Sequence, residues 1–240
     1  MIIEWIDVDR SSLHNLFDKF KTGQAVIFPA LSQNRGRIWV DSIDSPTVAK
    51  LQLNVLNFIG GDSNSVSAKE LLQTIKQMQP VFVPDDWIDF IVKEWGDRLG
   101  KQKRTMMSPD SLDINFLRGL RNRLPKEYLL ERVDIETAKK LDKGVHRHIA
   151  MHFDGSADFV ESGFGFCVKH ENKVISIAST YTPYTNKFDV QVDTIDDPVH
   201  RRKGLATAVC ATLMVYALEN NVVPHWDAAN DISVQLALKL

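Results

Sequence analysis

The alternation of apolar and polar residues is sharpest in the last third of the chain. In KFDVQVDT, Phe188, Val190, Val192 and Thr194 fall on one face and Asp189, Gln191 and Asp193 on the other, the period of a strand. Beyond Gly204 the period changes. Leu205, Val209, Thr212, Leu213 and Tyr216 recur at helical spacing, and Asn220 and Asn221 mark the stop. VVPHWDAA then reads as a strand and NDISVQLALKL as a final helix. Upstream, EYLLERVD predicts a strand and Asp134 a cap for a helix through Leu141 that ends near Gly144. A second helix is expected over roughly residues 145–160, broken at Gly155. FGFCVKHENKVISIASTYT predicts two strands joined by a tight turn at Glu171, Asn172 and Lys173. The order β-α-α-β-β-β-α-β-α makes this half an α/β fold, a mixed sheet with helices on its faces.

The first half mixes extended and helical signals. GRIWVDS and AKLQLNVLNFIGG read as strands, ending in Gly60 and Gly61. SAKELLQTIKQM predicts a helix with Ser67 and Glu70 as a capping box and Leu71, Leu72, Ile75 and Met78 as its apolar face. PVFVPDDWIDFIVKEWGDRLG predicts a short strand and then a helix from near Asp85 to near Gly100. The charged stretch from Gly100 to Pro125 holds Pro109 and Gly119. It separates two expected domains, residues 1–120 and 121–240.

Composition narrows the class. With 240 residues and 44% hydrophobic content, the chain can bury a substantial core. Its 29 basic and 31 acidic side chains give a net charge of -2, so nothing draws the whole molecule to nucleic acid or an anionic membrane. No apolar run approaches the length of a membrane span, and MIIEWIDVDR lacks the basic start of a signal peptide. Cys167 and Cys210 fit a reducing compartment and read as small core residues. Trp87 and Trp95 also read as core. The expectation is a soluble, cytoplasmic protein.

The candidate chemistry lies in DPVHRRKG, where Arg201, Arg202 and Lys203 precede the helix that starts near Gly204. A helix N-terminus exposes unpaired N–H groups and partial positive charge, so cations there are disfavoured unless an anion sits among them. Gly204 would let a ligand approach the backbone, and Ala206 keeps the first turn narrow. The combination suits a phosphate or pyrophosphate, against the plainer reading of a solvated basic loop. Neither G-x-x-x-x-G-K-[ST] nor a G-x-G-x-x-G after a strand is present.

Arg201-x-x-Gly204-x-Ala206, behind the strand VQVDT and ahead of a long helix, resembles the acyl-CoA signature [QR]-x-x-G-x-[GA] of the GCN5-related N-acetyltransferases (GNAT). WDAANDISVQLALKL resembles that family's fifth strand, its cofactor-contacting Asn and the following helix, and the likeness spans roughly Leu124 to Leu240. The two-part layout is similar to a bacterial group in which a degenerate half precedes the acetyltransferase half, so the region before Gly100 is expected to be a worn second copy. The resemblance implies a GNAT fold and acetyl-CoA as cosubstrate. The diphosphate would lie on the amides of Arg202, Lys203, Gly204, Leu205 and Ala206, with Arg201 beside it and a hydroxyl from Thr207. Pantetheine would run along Val192, Asp193 and Thr194, where an amide would polarise the thioester carbonyl. Asn230 would hydrogen-bond the cofactor near the pantetheine, with Ser233 as a weaker candidate. An amine would attack directly, in a ternary complex with no acyl-enzyme. Asp193 is the first candidate for the base that deprotonates it, with Asp189 and Glu161 in reserve. In the family the sheet continues past this helix and a tyrosine from there often protonates the thiolate. This chain stops at Leu240, so either it is cut short or its architecture departs from the family there, and its general acid is unassigned.

HRHIAMH places His146, His148 and His152 together. His148 and His152 stand at i and i+4, yet no Glu follows His148, so no metal is assigned and a structural or pocket-lining cluster is expected. The leading function is N-acetyl transfer from acetyl-CoA to a small-molecule or peptide amine. The alternative is a non-catalytic module that binds or senses acyl-CoA. A nucleic-acid role for the basic turn is disfavoured by the neutral charge. Acceptor identity and oligomeric state lie beyond the sequence.

Overall fold

The computed structural model describes residues 1–141, 143–144 and 146–240; the side chains of Arg147 and His148 are outside the described set. The chain divides into Met1–Gln102 and Lys103–Leu240. The break falls inside the charged stretch but ahead of residue 120, because that stretch is not a linker. It forms a strand, β6 in the numbering below, and a helix, α5, that the sequence pattern did not predict.

The first unit comprises β1 (Ile3–Trp5), α1 (His14–Phe17), α2 (Gln24–Ser32), β2 (Arg37–Val40), β3 (Val48–Leu53), β4 (Leu56–Gly61), α3 (Ala68–Gln73), β5 (Val81–Phe82) and α4 (Ile88–Trp95). The segment AKLQLNVLNFIGG is a hairpin, turned at Asn54 in the left-handed region with φ of 52°. The capping box does not form. Ser67 sits in the right-handed region and its side chain caps nothing, while Glu70 takes the amino terminus and the Ile2 amide. The α3 helix is also shorter than expected, stopping at Gln73, with Met78 fully exposed beyond it. The sheet runs β1-β2-β3-β4-β5, antiparallel except for the parallel pair β4/β5.

The second unit holds β6 (Thr105–Met107), α5 (Ile114–Arg121), β7 (Leu129–Arg132), α6 (Ile135–Leu141), α7 (Ser156–Ser162), β8 (Gly165–His170), β9 (Lys173–Thr180), β10 (Lys187–Thr194), α8 (Leu205–Glu219), β11 (Val223–Ala228) and α9 (Asp231–Ala237). Its sheet order is β6-β11-β10-β9-β8-β7. From β7 to β11 it repeats the order and pairing senses of β1 to β5, including the parallel last pair. The β11 strand is not an edge. The β6 strand, from earlier in the chain, pairs antiparallel with it, Trp226 opposite Met107. The predicted helix over 145–160 resolves into a short 3₁₀ turn at Arg147–Ala150 and α7, parted at Gly155.

Two cores flank this sheet. On one face Phe166, Val168, Ile175 and Phe188 pack against α8 and against Leu117 and Leu120 of α5. Ten of the fifteen α8 residues are buried, because α5 covers the side that an amphipathic helix would leave to water. On the other face Ala138, Leu141, Phe153 and Phe159 cover Cys167 and Ile177. Asp134 caps α6 as expected, accepting from the Thr137 amide at 2.7 Å.

Candidate functional site

A loop leads from β10 into α8, and Asp197 shapes its first half. The Val199 amide donates to Asp197 Oδ1 at 2.9 Å and the His200 amide to the Asp197 carbonyl at 3.0 Å. Arg202 and Gly204 then adopt left-handed conformations, with φ of 56° and 75°. A Cβ at Gly204 would meet nothing within 4 Å, so the dihedral angle rather than space calls for glycine here. The backbone N–H groups of Arg202, Lys203, Gly204, Leu205, Ala206 and Thr207 have no acceptor among the described residues. The three cations are not equivalent. Arg201 turns to Asp196, its Nε donating at 2.9 Å. Lys203 lies 3.7 Å from Glu127 and 5.2 Å above the Tyr128 ring, and Tyr128 first, then Glu127, hold its ammonium above the usual range. Arg202 is exposed and has no ion-pair partner among the described residues.

The β10 strand brings a second set of backbone groups to the same end of the sheet. Its pairing with β11 ends at Asp189 opposite His225, while pairing with β9 continues to Thr194 opposite Ser176. The Ile195 amide donates to Ile175 O and the Tyr181 amide to Asp189 O, so the odd-numbered residues of β10 bond to β9. By alternation, Val192 and Thr194 direct their N–H and C=O groups the other way, into the gap where β11 has parted. The side-chain hydroxyl of Thr194 meets that of Ser176 at 2.7 Å.

The odd-numbered side chains of β10 point away from α8. Asp193 Oδ2 lies 2.5 Å from Nδ1 of the buried His146, whose Nε2 is 3.2 Å from Val174 O. The imidazole thus bridges Asp193 and the β9 backbone. Asp189 is different. Burial, and then the charge of Asp227 on β11, push its carboxyl up to about 7. Asp227 itself is held by Arg104, whose Nε donates to Oδ2 at 2.7 Å. Tyr181 lies within the field of Arg104 and Asp189, and burial raises its hydroxyl. Its ring meets that of His152 with centroids 4.5 Å apart. Both His152 nitrogens are buried without a partner among the described residues, and burial lowers the imidazole to about 4.

Of the remaining candidates, Asn230 is exposed and caps α9, its Oδ1 accepting from the Ser233 amide at 2.9 Å. The Ser233 hydroxyl accepts from Trp226 Nε1. Glu161 is exposed on α7. His146 and His152 serve different partners, and the His148 side chain falls outside the described residues. Cys167 and Cys210 are buried, with thiols raised by burial, Cys167 to about 11. Sequence reasoning missed Tyr128, Asp227, Arg104 and Tyr181, for no local pattern links residues joined only across the sheet.

The sheet parts between two parallel strands, beside a helix whose unpaired N-terminus is preceded by three cations, and the fold is that of an acyltransferase. The chain belongs to the GNAT acetyltransferase family, whose family model matches residues 14–240. An uncharacterized N-acetyltransferase, YdfB, of Bacillus subtilis (strain 168) is 25% identical over 244 residues, covering 96% of this chain and 90% of that one. A GCN5-related N-acetyltransferase-like protein from Streptococcus suis has a TM-score of 0.77 at 23% identity, covering 97% of this chain and 93% of its own. A tandem GNAT protein from the clavulanic acid biosynthesis pathway has a TM-score of 0.55 at 13% identity, covering 99% and 94%. These likenesses establish the fold. No helix among the described residues is long and apolar enough to cross a membrane.

Proposed function

We propose that the chain is an N-acetyltransferase that takes acetyl-CoA as its acyl donor and an amine as its acceptor, and that Lys103–Leu240 carries the site. Met1–Gln102 is read as a degenerate copy of the same fold. Its α3 is short, and the loop before it, GGDSNSVS, has no cation and no glycine next to the helix.

The observation that carries the reading is the unpaired backbone. The amides of Arg202 to Thr207 meet the requirement of a diphosphate for several convergent donors, and Arg202 supplies a full charge. Val192 and Thr194 offer pantetheine an open strand edge, and the amide NH₂ of Asn230, partnerless among the described residues, is a further donor. Ser233 is assigned to holding Trp226 instead. Bound acetyl-CoA supplies an activated thioester carbonyl.

Asp189 takes the role of base from Asp193. A carboxylate titrating near neutrality accepts a proton from an ammonium more readily than an ordinary one, and Asp193 is already engaged by His146. Direct transfer is favoured over an acyl-enzyme because both cysteines are buried with raised thiol pKa values.

Calorimetric titration of acetyl-CoA into the protein and into Gly204→Glu tests the donor site. Saturable micromolar binding, lost in a variant that still melts cooperatively, is expected; equal binding by both proteins would overturn the assignment of the turn.

A further inference from the structure

Arg202 is a bulky, non-glycine residue held at φ of 56°, two positions before a second left-handed residue at Gly204. Such a conformation costs roughly 1 kcal/mol or more, and it persists only where the surroundings over-determine it. The residues on either side of Arg202 show what fixes it. His200, two positions before, is buried and shares a 2.8 Å hydrogen bond between its Nδ1 and the Tyr128 hydroxyl. Lys203, one position after, places its ammonium 5.2 Å over the face of the same tyrosine ring. Tyr128 is only 6% exposed and stands immediately ahead of β7. His170, at the end of β8, closes the group, its ring centroid 5.1 Å from that of Tyr128 and 5.2 Å from that of His200. One side chain just ahead of β7 thus grips the loop on both sides of its strained residue, through its hydroxyl on one side and its π face on the other.

We propose that Tyr128 is a positioning residue for acyl-CoA. By holding His200 and Lys203 it keeps the Arg202–Ala206 amides convergent before the ligand arrives. A loop ordered in advance spends less of its binding energy on ordering, so the contribution appears in the affinity for the diphosphate end of the ligand. The inference rests on the reading of this turn as the diphosphate site. A purely structural tyrosine would instead affect folding, with no preference for one end of the ligand.

The test compares the protein with Tyr128→Phe, which keeps the ring and removes one hydroxyl, by calorimetric titration of coenzyme A and of 3′-phosphoadenosine 5′-diphosphate. The second probe retains the diphosphate and lacks pantetheine. Tyr128→Phe is expected to raise Kd by up to about fivefold to tenfold for both ligands alike, at most the worth of one buried hydrogen bond, in a variant that stays cooperatively folded at the titration temperature. His200→Ala is expected to weaken both ligands in the same way, and His200→Asn, which returns a polar atom near the Nδ1 position, to recover part of the loss. Unchanged affinities in Tyr128→Phe and His200→Ala, or a loss confined to coenzyme A, would overturn the role of Tyr128. Should Tyr128→Phe fail to fold, the two His200 variants decide the matter. Failure of the unaltered protein to bind either ligand would instead overturn the donor-site reading, and this inference with it.

Discussion

Asp189 and Asp227 lie on the same face of two parallel strands, at the point where those strands part, and burial, with the charge of Asp227 added to it, raises the Asp189 carboxyl to about 7. Asp227 is the member matched to a cation, through Arg104, so the proton stays with Asp189 up to about pH 7. Two carboxylates in unlike surroundings acquire unlike tasks. One is paired with a guanidinium, and the other is a group able to exchange a proton near neutrality.

The linkage gives a test that needs no acceptor. In the folded protein Asp189 titrates near 7, above its ordinary 3.8, so between those values the native state holds the extra proton. Stability contributed by that group is full at low pH and declines as the pH rises toward and through 7. Thermal melts from pH 5 to pH 8 should show Asp189→Asn gaining on the parent as the pH rises. A difference independent of pH would contradict the raised carboxyl. Once an acceptor is known, the same variant should lower kcat/KM at pH 8 by about a hundredfold and abolish the limb that rises near pH 7.

His152 supplies a second pH signature of opposite sense. Its imidazole, lowered by burial to about 4, stays neutral while the unfolded chain takes up a proton below about 6.5. The native state binds fewer protons in that window, so stability is lost as the pH falls from 6.5 toward 4. Neither nitrogen has a partner among the described residues to lose, so His152→Phe should be tolerated at pH 7 and should stabilise the protein by about 2 kcal/mol at pH 5 relative to the parent. Chemical denaturation at both pH values measures this, and parallel losses in the two proteins would rule it out.

What the sequence reveals here is what is local. The faces of β10 and the start and stop of α8 follow from spacing within one segment, and the structure reproduces them. The Ser67–Glu70 box matches a local rule and still fails, because the amino terminus competes for Glu70. The helix Ile114–Arg121 escaped notice because Arg118 and Arg121 lie among only two fully inward positions, Leu117 and Leu120. The strand Thr105–Met107 exists only because β11 pairs with it. At the candidate site the turn is legible, whereas the groups that tune it, Tyr128 and Asp227, meet their partners through the fold.

Thiol chemistry gives a direct check on transfer without an acyl-enzyme. Cys167 and Cys210 are buried and their raised pKa values leave little thiolate at pH 8. Neither should react with a colorimetric disulfide reagent until the protein is denatured, when both should titrate. Rapid labelling of one cysteine in the native protein, suppressed by acetyl-CoA, would speak for a covalent intermediate instead.

The first unit carries its own electrostatic oddity, in Lys50 on β3. The residue is 2% exposed, its ammonium donates to Thr74 O at 3.2 Å and sits 3.9 Å over the ring of its cross-strand neighbour Trp39. No carboxylate pairs with it among the described residues, and burial, then the charge of Arg37, pull it down to about 8. Between pH 8 and 10.5 the unfolded chain binds the proton that the native protein has released, so stability rises with pH across that window. Methionine has nearly the same reach and no charge to bury. Lys50→Met should therefore melt above the parent at pH 7, with the gap narrowing by pH 10. A variant that melts lower at both pH values would mean that the contacts with Thr74 and Trp39 outweigh the desolvation of the ammonium.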